Sequence, residues 1–250
     1  MTTLNVNTIT PAGSTLTIGE SGDTVVATDD VKVNTVKDAG GNTLWVSNGS
    51  GVLSSVKSGI GGADKLLSTQ TASGSASLSF TSGIDSTYGE YIFRFIDINP
   101  ATDGVAFSWN GSTDGGSNYN VSKTSTAFLA QHKENDATAD LGYQAGMDLP
   151  TGGSDAGATN FQMIAQYVGD DADQCVAGEL HIFNPSSTTY VKNWYCRVSS
   201  SFDQNGSSDP RAQDIFTAGY MNLTTVIDAI QFKMASGNFD GTIKMYGIVS

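Results

Sequence analysis

This chain is short of charge, cysteine, histidine and long apolar runs. Only 15% of its 250 residues are charged. A helical bundle or coiled coil, which needs an abundance of Glu, Lys, Arg and Leu, is thereby excluded. Basic residues are scarcest: 12 Lys and Arg stand against 25 Asp and Glu, a net charge of −13. That balance argues against nucleic acid as a partner, because a phosphate backbone needs a basic face. No polybasic run offers itself to an anionic membrane, and no apolar stretch approaches the roughly 18–20 residues of a membrane span. Met1-Thr2-Thr3-Leu4-Asn5 lacks a basic and an apolar secretory region, so folding in a cytoplasm is expected. Two cysteines, Cys175 and Cys196, make neither a disulfide scaffold nor a metal site by themselves. Reduced thiols are the expectation there, with a single bridge as the alternative.

What the chain has instead is turn chemistry and rings. Gly, Ser and Thr number 29, 29 and 27, and 23 residues are aromatic. The rings give enough apolar surface for a core, so disorder is excluded as well.

The first sixty residues hold a repeat. Val6-Asn7-Thr8-Ile9 recurs as Val33-Asn34-Thr35-Val36, Ala12-Gly13 as Ala39-Gly40, and Thr15-Leu16 as Thr43-Leu44. Each copy reads as two short strands around an Ala-Gly turn. Such units cannot bury a core alone and must stack on neighbours or on other chains. The apolar positions that need partners include Leu4, Val6, Ile9, Leu16, Ile18, Val33, Leu44 and Val46. Ser58-Gly59-Ile60-Gly61-Gly62 reads as a linker, which divides the chain into residues 1–62 and 63–250. Only Trp45 among the aromatics precedes it.

Beyond the linker, apolar residues recur with period two, the mark of half-buried strands. Tyr91, Phe93 and Phe95 share a face opposite Ile92, Arg94 and Ile96. Val105, Phe107 and Trp109 share another, as do Trp194, Cys196 and Val198, and Ile230, Phe232 and Met234. Turns at Asn110-Gly111, Asp114-Gly115-Gly116, Asn184-Pro185 and Asp240-Gly241 punctuate the strands. The fold class expected is all-β: a small repeated hairpin module followed by an antiparallel, jelly-roll-like β-sandwich. Residues 134–160 read as a long polar loop, and Thr224–Asp228 as a short helical turn.

Chemistry is sparse. His132 and His181 do not stand at metal-ligand spacing from each other or from the cysteines. No phosphate loop, dinucleotide fingerprint or nucleophile elbow occurs. No catalytic residue, metal or cofactor is therefore assigned, and His181, between Leu180 and Ile182, reads as a structural or surface histidine. Asp170-Asp171-Ala172-Asp173 is the tightest acidic cluster; it lacks the spacing of a calcium loop and reads as solvated. The one ligand-like constellation is the turn that carries Trp109, Asn110, Asp114 and Tyr119. It offers rings, an amide and a carboxylate, the groups that grip a sugar. Trp109 also continues the face of Val105 and Phe107, so burial competes with display there.

Several phrases resemble the β-sandwich structural proteins of tailed bacteriophages, marine and cyanobacterial phages especially. They are Tyr91-Ile92-Phe93-Arg94-Phe95, Phe107-Ser108-Trp109, Gly178-Glu179-Leu180-His181-Ile182-Phe183-Asn184-Pro185, and the closing run from Ser236-Gly237-Asn238-Phe239-Asp240-Gly241 to Tyr246-Gly247-Ile248. Leu16-Thr17-Ile18-Gly19 and Ser47-Asn48-Gly49-Ser50-Gly51 are similar to modules of phage tail fibres. The resemblance implies a virion component, commonly a homotrimer, assembled in the host cytoplasm. On it, residues 1–62 are a virion anchor and trimer stem and residues 63–250 a head. The expected partners are copies of the chain, other tail or capsid proteins, and a host-surface glycan. A tail fibre or spike for host attachment leads; a capsid decoration protein or head fibre is the alternative, and a glycan-binding module or depolymerase the third reading.

Overall fold

A computed structural model describes residues 35–38, 40–47, 49–50, 53–54, 64–150, 161–203 and 210–248. The chain divides into two compact units, Met1–Lys57 and Ser58–Ser250.

In the first unit, β1 (Thr35–Lys37) and β2 (Thr43–Ser47) pair antiparallel, and β3 (Leu53–Ser54) adds to β2. The turn between β1 and β2 is closed by Asp38: its carboxylate accepts from Asn42 N at 2.8 Å, and its carbonyl accepts from Gly41 N at 2.9 Å. An Asx-type closure of this kind is what a short polar side chain supplies at a turn.

The second unit is an antiparallel β-sandwich, and its described residues contain no helix. Its strands are β4 (Asp64–Ser75), β5 (Leu78–Phe80), β6 (Glu90–Pro100), β7 (Val105–Ser112), β8 (Lys123–Lys133), β9 (Ala139–Tyr143), β10 (Gln162–Val168), β11 (Val176–Phe183), β12 (Lys192–Phe202), β13 (Arg211–Met221), β14 (Ala229–Met234) and β15 (Phe239–Ile248). One sheet has eight strands in the order β4-β15-β6-β11-β12-β13-β8-β9; the other has four, β10-β7-β14-β5. Setting aside β8, β9, β12 and β13 leaves eight strands. Numbered along the chain, they lie 1-8-3-6 in one sheet and 2-7-4-5 in the other. That alternation between sheets is the strand order of a jelly roll. The four remaining strands form one block, β12-β13-β8-β9, that widens the larger sheet beyond its partner.

The alternating pattern puts rings between the sheets. Phe232 of β14 lies at the centre, 5.3 Å from Phe93 and from Phe95 of β6, 6.0 Å from Phe107 of β7 and 6.2 Å from Phe80 of β5, centroid to centroid. Most of these pairs meet edge to face or tilted, the arrangement favoured by the ring quadrupole. Further along, Trp109 of β7 meets Trp194 of β12 at 5.2 Å and 84°.

Two expectations fail. The polar segment 134–160 is not all loop, since β9 pairs with β8 from His132↔Ala139 to Phe128↔Tyr143. Its five residues are all exposed, so no buried period could reveal it. Residues 224–228 form no helical turn. Ile227 is buried there by contact with the sandwich, and its N–H donates to Pro185 O at 3.0 Å.

Candidate functional site

The turn after β7 is a structural device in this fold. Trp109 and Asn110 are fully buried, so neither can present a surface to a glycan; this corrects the expectation for both. The physical reason lies in their partners. Trp109 packs on Trp194 and lies under the ammonium of Lys123, 5.0 Å from the ring centroid. Asn110 Oδ1 accepts from Lys123 Nζ at 2.5 Å, and its amide donates to Tyr119 O at 3.0 Å. A buried lysine needs such acceptors, because an unsolvated ammonium is costly. Tyr119 is half-buried beside Gly116.

Asp114 is exposed, but its carboxylate is engaged within the turn. It accepts from Ser112 Oγ at 2.7 Å, Asn118 Nδ2 at 2.7 Å and Asn118 N at 2.9 Å. The bonds from Asn118 and then Ser112 hold its pKa down, to about 2. Asp214 is lowered too, chiefly by its hydrogen bond from Arg197, and Asp85 by its bond from Thr87. For a carboxyl whose folded pKa lies below its unfolded one, the native state binds fewer protons through the interval. Stability is then full above pH 4 and falls as the pH drops through the folded values. The melting temperature should accordingly hold between pH 7 and 5 and decline below about pH 4. Asp114→Asn should flatten that decline between about pH 4 and pH 2. Circular dichroism melts of the two proteins at stepped pH check this; parallel curves would refute the assignment.

The repeat positions fall mostly elsewhere. Leu4, Val6, Ile9, Leu16, Ile18 and Val33 lie outside the described residues. Leu44 and Val46 stand on β2, each half-buried.

The richest surface is the outer face of the eight-stranded sheet, the side away from the ring-filled core. Alternation sends Phe93, Leu180, Cys196 and Ile215 inward and leaves Arg94, Glu179, Arg197 and Asp214 outward. Register then brings distant residues side by side. Pairing of β11 with β6 sets Glu179 opposite Arg94 and His181 opposite Ile92, and pairing with β12 sets His181 opposite Tyr195.

Two features result. One is a charged chain. Arg94 Nη2 donates to Asp64 Oδ2 at 2.7 Å and Arg94 Nε to Glu179 Oε2 at 3.4 Å. His181 Nδ1 lies 2.5 Å from Glu90 Oε1, and its Nε2 lies 3.1 Å from Glu179 Oε1, close but not aligned for a hydrogen bond. The Arg94 guanidinium also sits over the Tyr246 ring at 4.6 Å. Beside it, Arg197 Nε and Nη2 fork onto Asp214 at 2.9 and 2.7 Å.

The other feature is a row of rings across β11, β12, β13 and β8. His181 stacks on Tyr195 at 4.4 Å, Tyr195 on Phe216 at 6.1 Å and Phe216 on Phe128 at 5.0 Å, all within 22° of parallel. Burial, then the nearby Glu90 and Glu179 carboxylates, raise the Tyr195 phenol. Phe128, at the end of the row, is 44% exposed.

Two open depressions overlie these features. One, of about 750 Å³, is lined by Arg94, Glu179, Arg197, Asp214, Lys244 and Tyr246 among others. The second, of about 480 Å³, is lined by Phe128, Glu179, Tyr195, Arg197, Asp214 and Phe216. They share Glu179, Arg197 and Asp214 and so form one groove. Alternation along each strand places Glu179, His181, Tyr195 and Arg197 on the faces opposite the core. It could not group them with Phe128 and Asp214, because nothing local encodes the strand order.

Cys175 and Cys196 are free thiols. Cys196 is buried, and that burial pushes its pKa well up. Among the described residues no group of three His, Cys, Asp or Glu is arranged to hold a metal ion.

No protein-family model, curated protein or solved structure matches the chain. The fold defines the class, an antiparallel β-sandwich.

Proposed function

We propose that the chain is a structural component of a tailed-bacteriophage particle, a homotrimeric tail fibre or spike protein whose sandwich is the attachment head. The repeated segment of residues 1–62 serves as virion anchor and trimer stem. The observation that carries the reading is the division of labour between the two units. The sandwich has a ring-packed core of its own. In the small unit, by contrast, Leu44, Trp45 and Val46 sit on a three-stranded sheet and stay only half-buried within the chain. Short strands that leave apolar side chains part-exposed gain stability by assembling with copies of themselves. The phrases that resemble phage structural and fibre proteins support the same reading. So does the wide outer face, since a rigid sheet is a sound platform for contact with a host surface.

The test is the solution mass. Light scattering of the full chain should give a trimer, three times 26.1 kDa or about 78 kDa. A truncated chain starting at Ala63 should run smaller, because its stem is gone. A full chain that stays monomeric at micromolar concentration would refute the trimer. Immunogold labelling of particles then tests the location; label on the capsid instead of the tail would turn the reading to a decoration protein.

A further inference from the structure

We infer that the groove on the outer face of the eight-stranded sheet is a binding site for a neutral glycan chain. The Arg197–Asp214 pair is its hydrogen-bonding centre and the row Tyr195, Phe216, Phe128 its apolar flank. This rests on the reading of the sandwich as an attachment head, and it names what the head holds.

The floor of the groove selects against a peptide. β6, β11, β12 and β13 each have a hydrogen-bonded neighbour on both sides. Their backbone donors and acceptors are engaged in the sheet, so an extended peptide has no free edge to join. A ligand must be held by side chains alone.

Those side chains suit hydroxyl groups. Arg197 and Asp214 are 68% and 46% exposed at the side chain and fix each other's orientation through two bonds. A guanidinium has five N–H donors and a carboxylate about four acceptor sites, so after the two bonds of the fork about three donors and two acceptors remain for a ligand. The remaining donors and acceptors then lie side by side in the plane of the fork. A vicinal diol, in which each hydroxyl both donates and accepts, is complementary to that plane. Pre-paired groups also lose little freedom when the ligand arrives.

The flank offers the apolar edges of its rings to a sugar ring. The row of stacked rings forms a continuous stripe next to the fork, and both border the same 480 Å³ depression. The adjoining 750 Å³ extends the groove past Glu179 to Tyr246 and Lys244. An elongated, shallow and mixed surface fits a chain of rings better than a compact apolar ligand, which needs an enclosed pocket.

Charge sets the last condition. Arg94, Arg197 and Lys244 stand against Asp64, Glu179 and Asp214, so these groups leave the groove without net positive charge, and the chain as a whole carries −13. An anionic polymer meets the repulsive field of the whole chain with no net positive charge in the groove to offset it.

The experiment uses the full chain on immobilised dextran, mannan and galactan, with alginate as the acidic contrast. Retention by at least one of the neutral polymers and none by alginate is expected. Arg197→Ala should weaken that retention about tenfold or more, the loss that one or two charge-assisted hydrogen bonds imply. Arg197→Lys, which keeps the charge but not the fork, should weaken it similarly. Phe128→Ala should weaken it about threefold. Unchanged melting curves for these surface variants would show that the fold is intact. Retention by none of the neutral polymers, by alginate alone, or equally by wild type and variants would overturn the inference. A trimeric protein labelled on the tail that fails to bind would sink the groove assignment and leave the attachment reading standing; a sugar-binding protein absent from particles would do the reverse.

Discussion

Phe232→Ala should destabilise the sandwich by about 3–5 kcal/mol, the range for deleting a buried aromatic side chain. Phe232 is fully buried and touches rings from both sheets: Phe80 and Phe107 in its own sheet, Phe93 and Phe95 in the facing one. Removing it strips each of those neighbours of a contact surface. The strands that would have to close the gap are tied by ladders on both sides, β14 to β5 and β7, β6 to β11 and β15. Collapse is therefore limited, and the cavity term stays large. Set against a typical domain stability of about 5–15 kcal/mol, such a loss would unfold a sizeable fraction of the protein at moderate denaturant. Urea unfolding followed by tryptophan fluorescence measures it. Phe128→Ala is the comparison, since that ring lies on the outer face and is 44% exposed; its cost should stay within about 1 kcal/mol. Equal costs for the two would show that the core is not centred where the ring contacts place it.

Gly178→Ala should cost about 3 kcal/mol and abolish the groove as well. A Cβ built at Gly178 would stand 2.3 Å from Arg197 O and 2.7 Å from Val198 Cα. Both atoms belong to the backbone of β12, so no side-chain rotation can relieve the overlap. Either β11 or β12 must move, and the fork carried by Arg197 moves with them. The glycine pairs with Phe95 at the edge of the β11–β6 register shift between Val176 and Gly178, where β6 carries the left-handed residue Asp97 (φ 52°). Irregularities of this kind bend a strand and locally re-aim its side chains. Gly142→Ala is the control: nothing lies within 4 Å of its Cβ position on the exposed strand β9. It should leave the melting temperature within a degree or two. If Gly178→Ala melts like Gly142→Ala, the close approach of β11 and β12 is not as the structure has it.

The core was legible because a strand writes its buried face into the sequence every second residue. Phe93 and Phe95, Phe107 and Trp109, Trp194, Cys196 and Val198, and Ile230 and Phe232 all point inward as their period requires. The pattern misled where one face served two ends. Trp109 closes an apolar face and opens a polar turn, and the sequence cannot weigh the two. Lys123, thirteen residues on from Asn110, decides it by taking the amide as an acceptor inside the fold. Conversely, β9 has no buried residue, so its pairing with β8 left no trace in the pattern.

The candidate site lay beyond reach for a related reason. Arg94 and Glu179 are 85 residues apart, and His181 and Glu90 are 91 apart. They meet because β11 runs antiparallel beside β6, a pairing that turn residues and propensity do not specify. Composition and alternation by themselves determined that the chain is all-β, acidic and built around an aromatic core, because burial and turn formation act on residues near in sequence. Only the tertiary structure decided which outward-facing residues share a groove, because adjacency across a sheet depends on strand order and register, which the packing of the whole core selects.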